Sequence, residues 1–136
     1  MRKNIAGTSP WEAVVGYSRA VRVGPVVQVA GTTATSEGVV LHPGDVAGQT
    51  RAALAIIEGA LREAGAELRH VIRTRLYVTD ISQWEAIGRV HGEVFGSIRP
   101  ACSMVQVAAL IDPAHLVEIE AEAYVWDDAA EGISGE

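Results

Sequence analysis

Three carboxylates near the end of this chain, Glu118, Glu120 and Glu122, alternate with Val117, Ile119, Ala121 and Ala123. Period-two alternation is how a strand sends side chains to opposite faces, so the acids share one face and the small apolar residues the other. Upstream, Arg99-Pro100-Ala101-Cys102-Ser103-Met104-Val105-Gln106-Val107 alternates as well, with Ser103, Val105 and Val107 on one side and Cys102, Met104 and Gln106 on the other. A mixed face of carboxylates, a thiol, a thioether and an amide is where chemistry could sit. Glu120 could act as a general base through a water molecule. It could equally be a strand carboxylate paired with Arg73 or Arg75 on a neighbouring strand. Glu118 and Glu122 read as structural or rim charges, although three acids on one face repel and can raise a pKa. Cys102 could be a nucleophile. No histidine is predictably adjacent to it, so it reads as a small buried hydrophobe.

Other chemistries find little support. His42, His70, His91 and His115 are dispersed, without the spacing that suits zinc, so no metal site is expected. There is no Gly-x-Gly-x-x-Gly, P-loop or Gly-x-Ser-x-Gly, and no cofactor is expected. A net charge of −6, with no basic run longer than Arg2-Lys3, argues against a nucleic-acid partner. One cysteine cannot form an internal disulfide, which fits a cytoplasmic, reducing setting. No apolar stretch approaches the roughly 20 residues that span a bilayer, and residues 1–10 lack the apolar core of a signal peptide.

The elements that must position the mixed face can be read along the chain. At 136 residues and 49% hydrophobic content, residues 1–136 fit one domain, with 1–10 and 127–136 expected as frayed ends. Ser18 to Val23 and Val26 to Gly31 are predicted strands joined at Gly24-Pro25. Asp45 is a candidate N-cap for a helix from Val46 to Ala64, with Leu54, Ile57, Leu61 and Ala64 at helical spacing and Gly65 as its stop. His70 to Thr79 alternates again, with Ile72, Thr74, Leu76 and Val78 opposite Arg73, Arg75, Tyr77 and Thr79. Ser82-Gln83-Trp84-Glu85 has the form of a capping box for a second helix, which should turn Trp84, Ile87, His91, Val94 and Phe95 inward. Two helices cannot cover both faces of such a sheet. They should cover the apolar one, bearing Val27, Val29, Ile72, Leu76, Val105, Val107, Val117 and Ile119. The other face, with Arg73, Arg75, Tyr77, Cys102, Met104, Gln106 and the three glutamates, is too apolar in part to be simply solvated, and other subunits should cover it.

Five segments, Gly16-Tyr17-Ser18-Arg19-Ala20, Val29-Ala30-Gly31, Tyr77-Val78-Thr79-Asp80-Ile81, Arg99 to Val105 and Val117-Glu118-Ile119-Glu120-Ala121, together resemble the Rid (YjgF-like) family of reactive intermediate deaminases, from about Tyr17 to Val125. The resemblance implies an α+β fold like bacterial-type chorismate mutase, one mixed sheet with two helices on one face. It also implies a homotrimer with a small-molecule pocket between subunits. Family members hydrolyse enamines and imines to carbonyl compounds and ammonia. On that reading Glu120 matches the glutamate that positions the attacking water and Tyr17 matches a pocket tyrosine, while Ala30, Gly31, Cys102 and Met104 fall on substrate-binding positions. The family's carboxylate-gripping arginine is replaced by Cys102, its common cysteine by Met104 and a frequent serine by Ala30. An arginine clamp has no conservative substitute, so the substrate should differ from 2-aminoacrylate, with Arg75 and Arg99 as alternative anion anchors. The same departures suit a non-catalytic binding module. A ribonuclease, as some relatives are labelled, fits poorly with the acidic charge.

Overall fold

Gly24, at φ +57°, and Pro25 turn β2 (Ala20–Val23) back into β3 (Val26–Thr32) as a hairpin. The computed structural model describes residues 1–126, and the expected C-terminal fray at 127–136 lies outside the described residues. The N-terminal half of that expectation is corrected. Arg2–Ile5 forms an ordered edge strand, β1, antiparallel to β2, because Ile5 is buried and anchors it. A single π-helical turn over Glu12–Gly16 follows. β4 (Thr35–Ser36) and β5 (Val39–Val40) make a small separate hairpin.

Helix α1 (Val46–Glu63) starts where the Asp45 side chain accepts from the Gly48 N–H at 2.9 Å, and ends at Gly65, φ +82°. Its inner face buries Leu54, Ile57 and Leu61. It also buries Gln49, whose amide donates to the Ala114 carbonyl at 2.9 Å and accepts from the Leu116 N–H at 2.8 Å. That pair of bonds fastens the loop leading into β8 (Val117–Tyr124), the strand that carries Glu120.

β6 (Val71–Val78) pairs with β8 antiparallel and with β7 (Ala101–Gln106) parallel, with helix α2 (Trp84–Phe95) as the crossover. The sheet order is β1-β2-β3-β8-β6-β7. One rung, Ile5–Ala20–Val29–Ala121–Thr74, is buried beneath the helices. The next, Asn4–Val21–Gln28–Glu122–Arg73, faces the other way. One mixed sheet with both long helices on one face is the α+β arrangement expected.

Four local expectations change. The capping box fails: Asp80 Oδ1 accepts both the Ser82 N–H at 3.0 Å and the Ser82 hydroxyl at 2.6 Å, a short 3-10 turn follows, and no side chain caps α2. Trp84, at the outer start of α2, is 59% exposed, and Val90 takes the core place beside Ile87 and Phe95. A bulge between Val71 and Arg73 sends Val71 into the core and leaves Ile72 exposed. Strand β7 has the opposite phase to that expected. Met104 lies beside Leu76 and packs against the core, Val105 is 47% exposed beside Tyr77, and Cys102, beside the buried Thr74, is itself exposed on the edge strand and not the buried hydrophobe expected.

Candidate functional site

On the helix-free face, β3, β8 and β6 floor an open cleft of about 740 Å³, walled by the Glu12–Gly16 turn and by β1. Tyr17, Ala30, Arg75 and Glu120 all line it, so four of the residues singled out in the sequence come together. Tyr17 follows Gly16, whose φ of +87° ends the turn and delivers the ring to the cleft. Glu120 and Arg75 are direct cross-strand partners on β8 and β6. Glu120 nevertheless takes its hydrogen bond from Tyr77, whose hydroxyl donates to Oε1 at 2.9 Å. That bond to a carboxylate, with some burial added, raises the Tyr77 pKa above the usual phenol value and keeps the donor protonated. Arg73 instead donates to the Ser103 hydroxyl at 2.9 Å.

Gly31, expected as a substrate-binding residue, does not line the cleft; it lies next to Ala30 in the irregular stretch of β3 between Val29 and Thr32. Its carbonyl accepts a short hydrogen bond from the Arg19 guanidinium. Its missing side chain leaves room for the Glu118 carboxyl group, whose Cδ would lie only 2.9 Å from a Cβ at that position. Burial, followed by the neighbouring Glu120 charge, pushes the Glu118 pKa up, with Arg19 and His115 pulling the other way. Glu118 is therefore a half-buried packing partner of Gly31 and not a rim charge.

The remaining predicted site residues are elsewhere. Cys102 and Met104 belong to the far edge strand and to the opposite phase, so neither joins Glu120 within one chain. Arg99, exposed at φ +61° after α2, is also outside the cleft. Sequence reasoning missed Arg2, Asn4, Glu12 and Gln28, which line the cleft's other end. The only signals were a lone polar residue in the apolar run Val26–Val29 and a four-residue alternation at Arg2–Ile5, too short to stand out from an end. His91 and His115 serve the framework: His91 Nε2 pairs with the buried Thr74 hydroxyl at 2.9 Å and His115 Nε2 with the Thr35 hydroxyl at 2.7 Å. Burial lowers the His91 pKa. Among the described residues, no group of three or more His, Cys, Asp or Glu could hold a metal ion, and no helix is long and apolar enough to cross a membrane.

Known proteins share both sequence and architecture. The family described as endoribonuclease L-PSP matches residues 7–125. The 3-aminoacrylate deaminase RutC of Acinetobacter baylyi is 36% identical over 120 residues, covering 88% of this chain and 93% of its own. A member of the YjgF/YER057c/UK114 family from Mycobacterium tuberculosis, solved by crystallography, is 56% identical with a TM-score of 0.84, covering 92% of this chain and 100% of its own. A Rid-family structure from Yersinia pestis is 28% identical with a TM-score of 0.82 over 92% of this chain and all of its own. The α+β fold is thus the chorismate-mutase-like one that the sequence motifs implied. By the extent of these matches and the shared order of strands and helices, the chain belongs to the Rid/YjgF family.

Proposed function

We propose that this chain hydrolyses enamine or imine intermediates, with Glu120 as the residue that handles the attacking water. The observation that carries the reading is the grouping of Glu120, Arg75 and Tyr17 in one cleft, with the Glu120 carboxylate oriented by the Tyr77 hydroxyl. An enamine protonated at carbon becomes an iminium, whose electrophilic carbon needs no further activation and so no cofactor. Water adds to that carbon while Glu120 accepts one of its protons through the oxygen that Tyr77 leaves unbound. The carbinolamine then collapses, the C–N bond breaks, and ammonia leaves as the carbonyl forms. The proton held on Glu120 is available to the departing nitrogen. Arg75, opposite Glu120, offers a positive charge to an anionic substrate group, and Tyr17 shapes the cleft wall. The relative named 3-aminoacrylate deaminase supports an enamine substrate. The net charge of −6 speaks against the RNA substrate in the family description.

On this reading the working form is a cytoplasmic homotrimer. Val23, Val105 and Tyr124 on the helix-free face are each 47–49% exposed in the single chain, an apolar surface that neighbouring copies would cover. Cys102 and Met104, remote from their own chain's cleft, could then complete the pocket of a neighbour through the β7 edge. The test is ammonia release from imines generated by an amino-acid oxidase. Wild type should accelerate it and Glu120→Ala should not. Equal rates for the two would remove Glu120 from the mechanism. Ligand-induced thermal stabilisation with no turnover would instead identify a binding module.

A further inference from the structure

The charged groups of the cleft are unevenly matched. Both carboxylates already have partners: Glu12 accepts the Gly7 N–H through both oxygens at 3.0 Å, and Glu120 accepts from Tyr77. The two guanidinium groups do not. Arg2 is held only through Nε, which donates to Asn4 Oδ1 at 2.9 Å, so among the described residues its two terminal nitrogens make no hydrogen bond. Arg75 makes none at all among them. A polar cleft with engaged acids and unengaged guanidinium donors is prepared for anions.

The positions of the two arginines bear on the ligand's length. Arg75 is level with Glu120, whereas Arg2 lies on the Val23–Val26–Tyr124 rung, three strands across and four residues along β8 from Glu120. Arg75 is one strand further, on β6, so at about 4.8 Å between strands and 3.3 Å per residue the two arginines are on the order of 20–25 Å apart at the backbone. Long side chains reach in from both ends, and Gln28 lies between, so the gap left corresponds to a chain of several atoms.

We propose that Arg2, oriented by Asn4, binds the distal carboxylate of an elongated dicarboxylic ligand whose near carboxylate meets Arg75. Resting on the imine-hydrolase reading, the preferred substrate is then the imine of a long amino diacid, such as 2-iminoadipate, and not a three-carbon imino acid. Arg2 is thus a specificity-determining residue contributed by the N-terminal strand. The strand is exposed apart from Ile5, so Arg2→Gln leaves the core intact.

Binding of adipate and of hexanoate, a monoacid of equal length, is measured by calorimetry on wild type, Arg2→Gln and Arg75→Gln, alongside turnover of 2-iminoadipate and 2-iminopropionate. Adipate should bind at least tenfold more tightly than hexanoate. Arg2→Gln should abolish that preference while leaving hexanoate affinity within twofold, and should raise KM for 2-iminoadipate about tenfold without changing kcat. Equal affinity for the two acids, or adipate binding unaffected by Arg2→Gln, overturns the anchor. Binding that behaves as expected with no turnover of either imine leaves the anchor standing and refutes the hydrolase reading instead.

Discussion

Replacing Gly31 by Ala probes the packing behind the site. The Gly31 backbone is not in the left-handed region, so alanine meets no conformational penalty there and the cost comes from contact alone. The new Cβ would lie 2.9 Å from Glu118 Cδ, 3.3 Å from its Cγ and closer still to Oε2. The Glu118 side chain must therefore swing away from the space beside Arg19. Overpacking of this kind costs about 1–3 kcal/mol. For a chain of this size that corresponds to a fall in Tm of roughly 3–10 °C at fixed protein concentration. A double-mutant cycle isolates the cause. In a Glu118→Ala background the obstruction is gone, and Gly31→Ala should cost less than about 0.5 kcal/mol, giving a coupling of about 0.5 kcal/mol or more. Thermal and urea unfolding of the four proteins would measure it. Equal cost of Gly31→Ala in both backgrounds would refute the view that Glu118 occupies the place of the Gly31 side chain.

Three further outcomes follow from the geometry. Glu118 has a folded-state pKa above its unfolded value, so its contribution to stability is fully present below the unfolded pKa and is lost as pH rises through the folded one. Glu118→Gln should accordingly flatten the pH dependence of unfolding free energy over that acidic window and leave the protein at least as stable at pH 7. His91 is the reverse case. Its folded pKa is depressed by burial, so stability is present above the unfolded pKa of about 6.5 and falls as pH drops below it, and His91→Gln should remove that loss in denaturation curves between pH 7 and 5. Tyr77→Phe deletes the donor to Glu120 and should lower kcat about tenfold with little change in KM, from a charge-assisted bond of about 1.5–3 kcal/mol of which part is regained from water.

The residues most legible in the sequence were those whose pattern had a single burial solution. In α1 the recurrence of Leu54, Ile57 and Leu61 defines one buried stripe, and in β8 the Val-Glu-Ile-Glu-Ala-Glu-Ala alternation leaves no choice of face. β7 offered no such contrast. Ser103 and Val105 oppose Cys102 and Met104, and the choice fell to the parallel register with β6, which sets Met104 beside Leu76 at the margin of the core. That register is a long-range property, set by α2 and the loop after it, and it removed Cys102 and Met104 from the face they were expected to share with Glu120. β1 was hidden for a related reason. Four residues with one apolar side chain, Ile5, carry no periodic signal, and only the presence of β2 beside them makes a strand. Half of the cleft's polar lining went unseen with it. The Glu120, Tyr17, Ala30 and Arg75 half was legible because β8, and β6 from Arg73 onward, fix their faces by alternation and the family motifs mark Tyr17 and Ala30.

The hydrolytic reading stands or falls on whether this cleft shortens the life of an imine. An imino acid generated in situ by an amino-acid oxidase can be intercepted with semicarbazide, and the yield of trapped adduct reports how long the imine survives. With substrate flux and trap held constant, wild-type protein should lower that yield in proportion to its concentration, and Glu120→Gln should leave it at the level seen without protein. Undiminished trapping with wild type, or equal suppression by Glu120→Gln, would contradict the account.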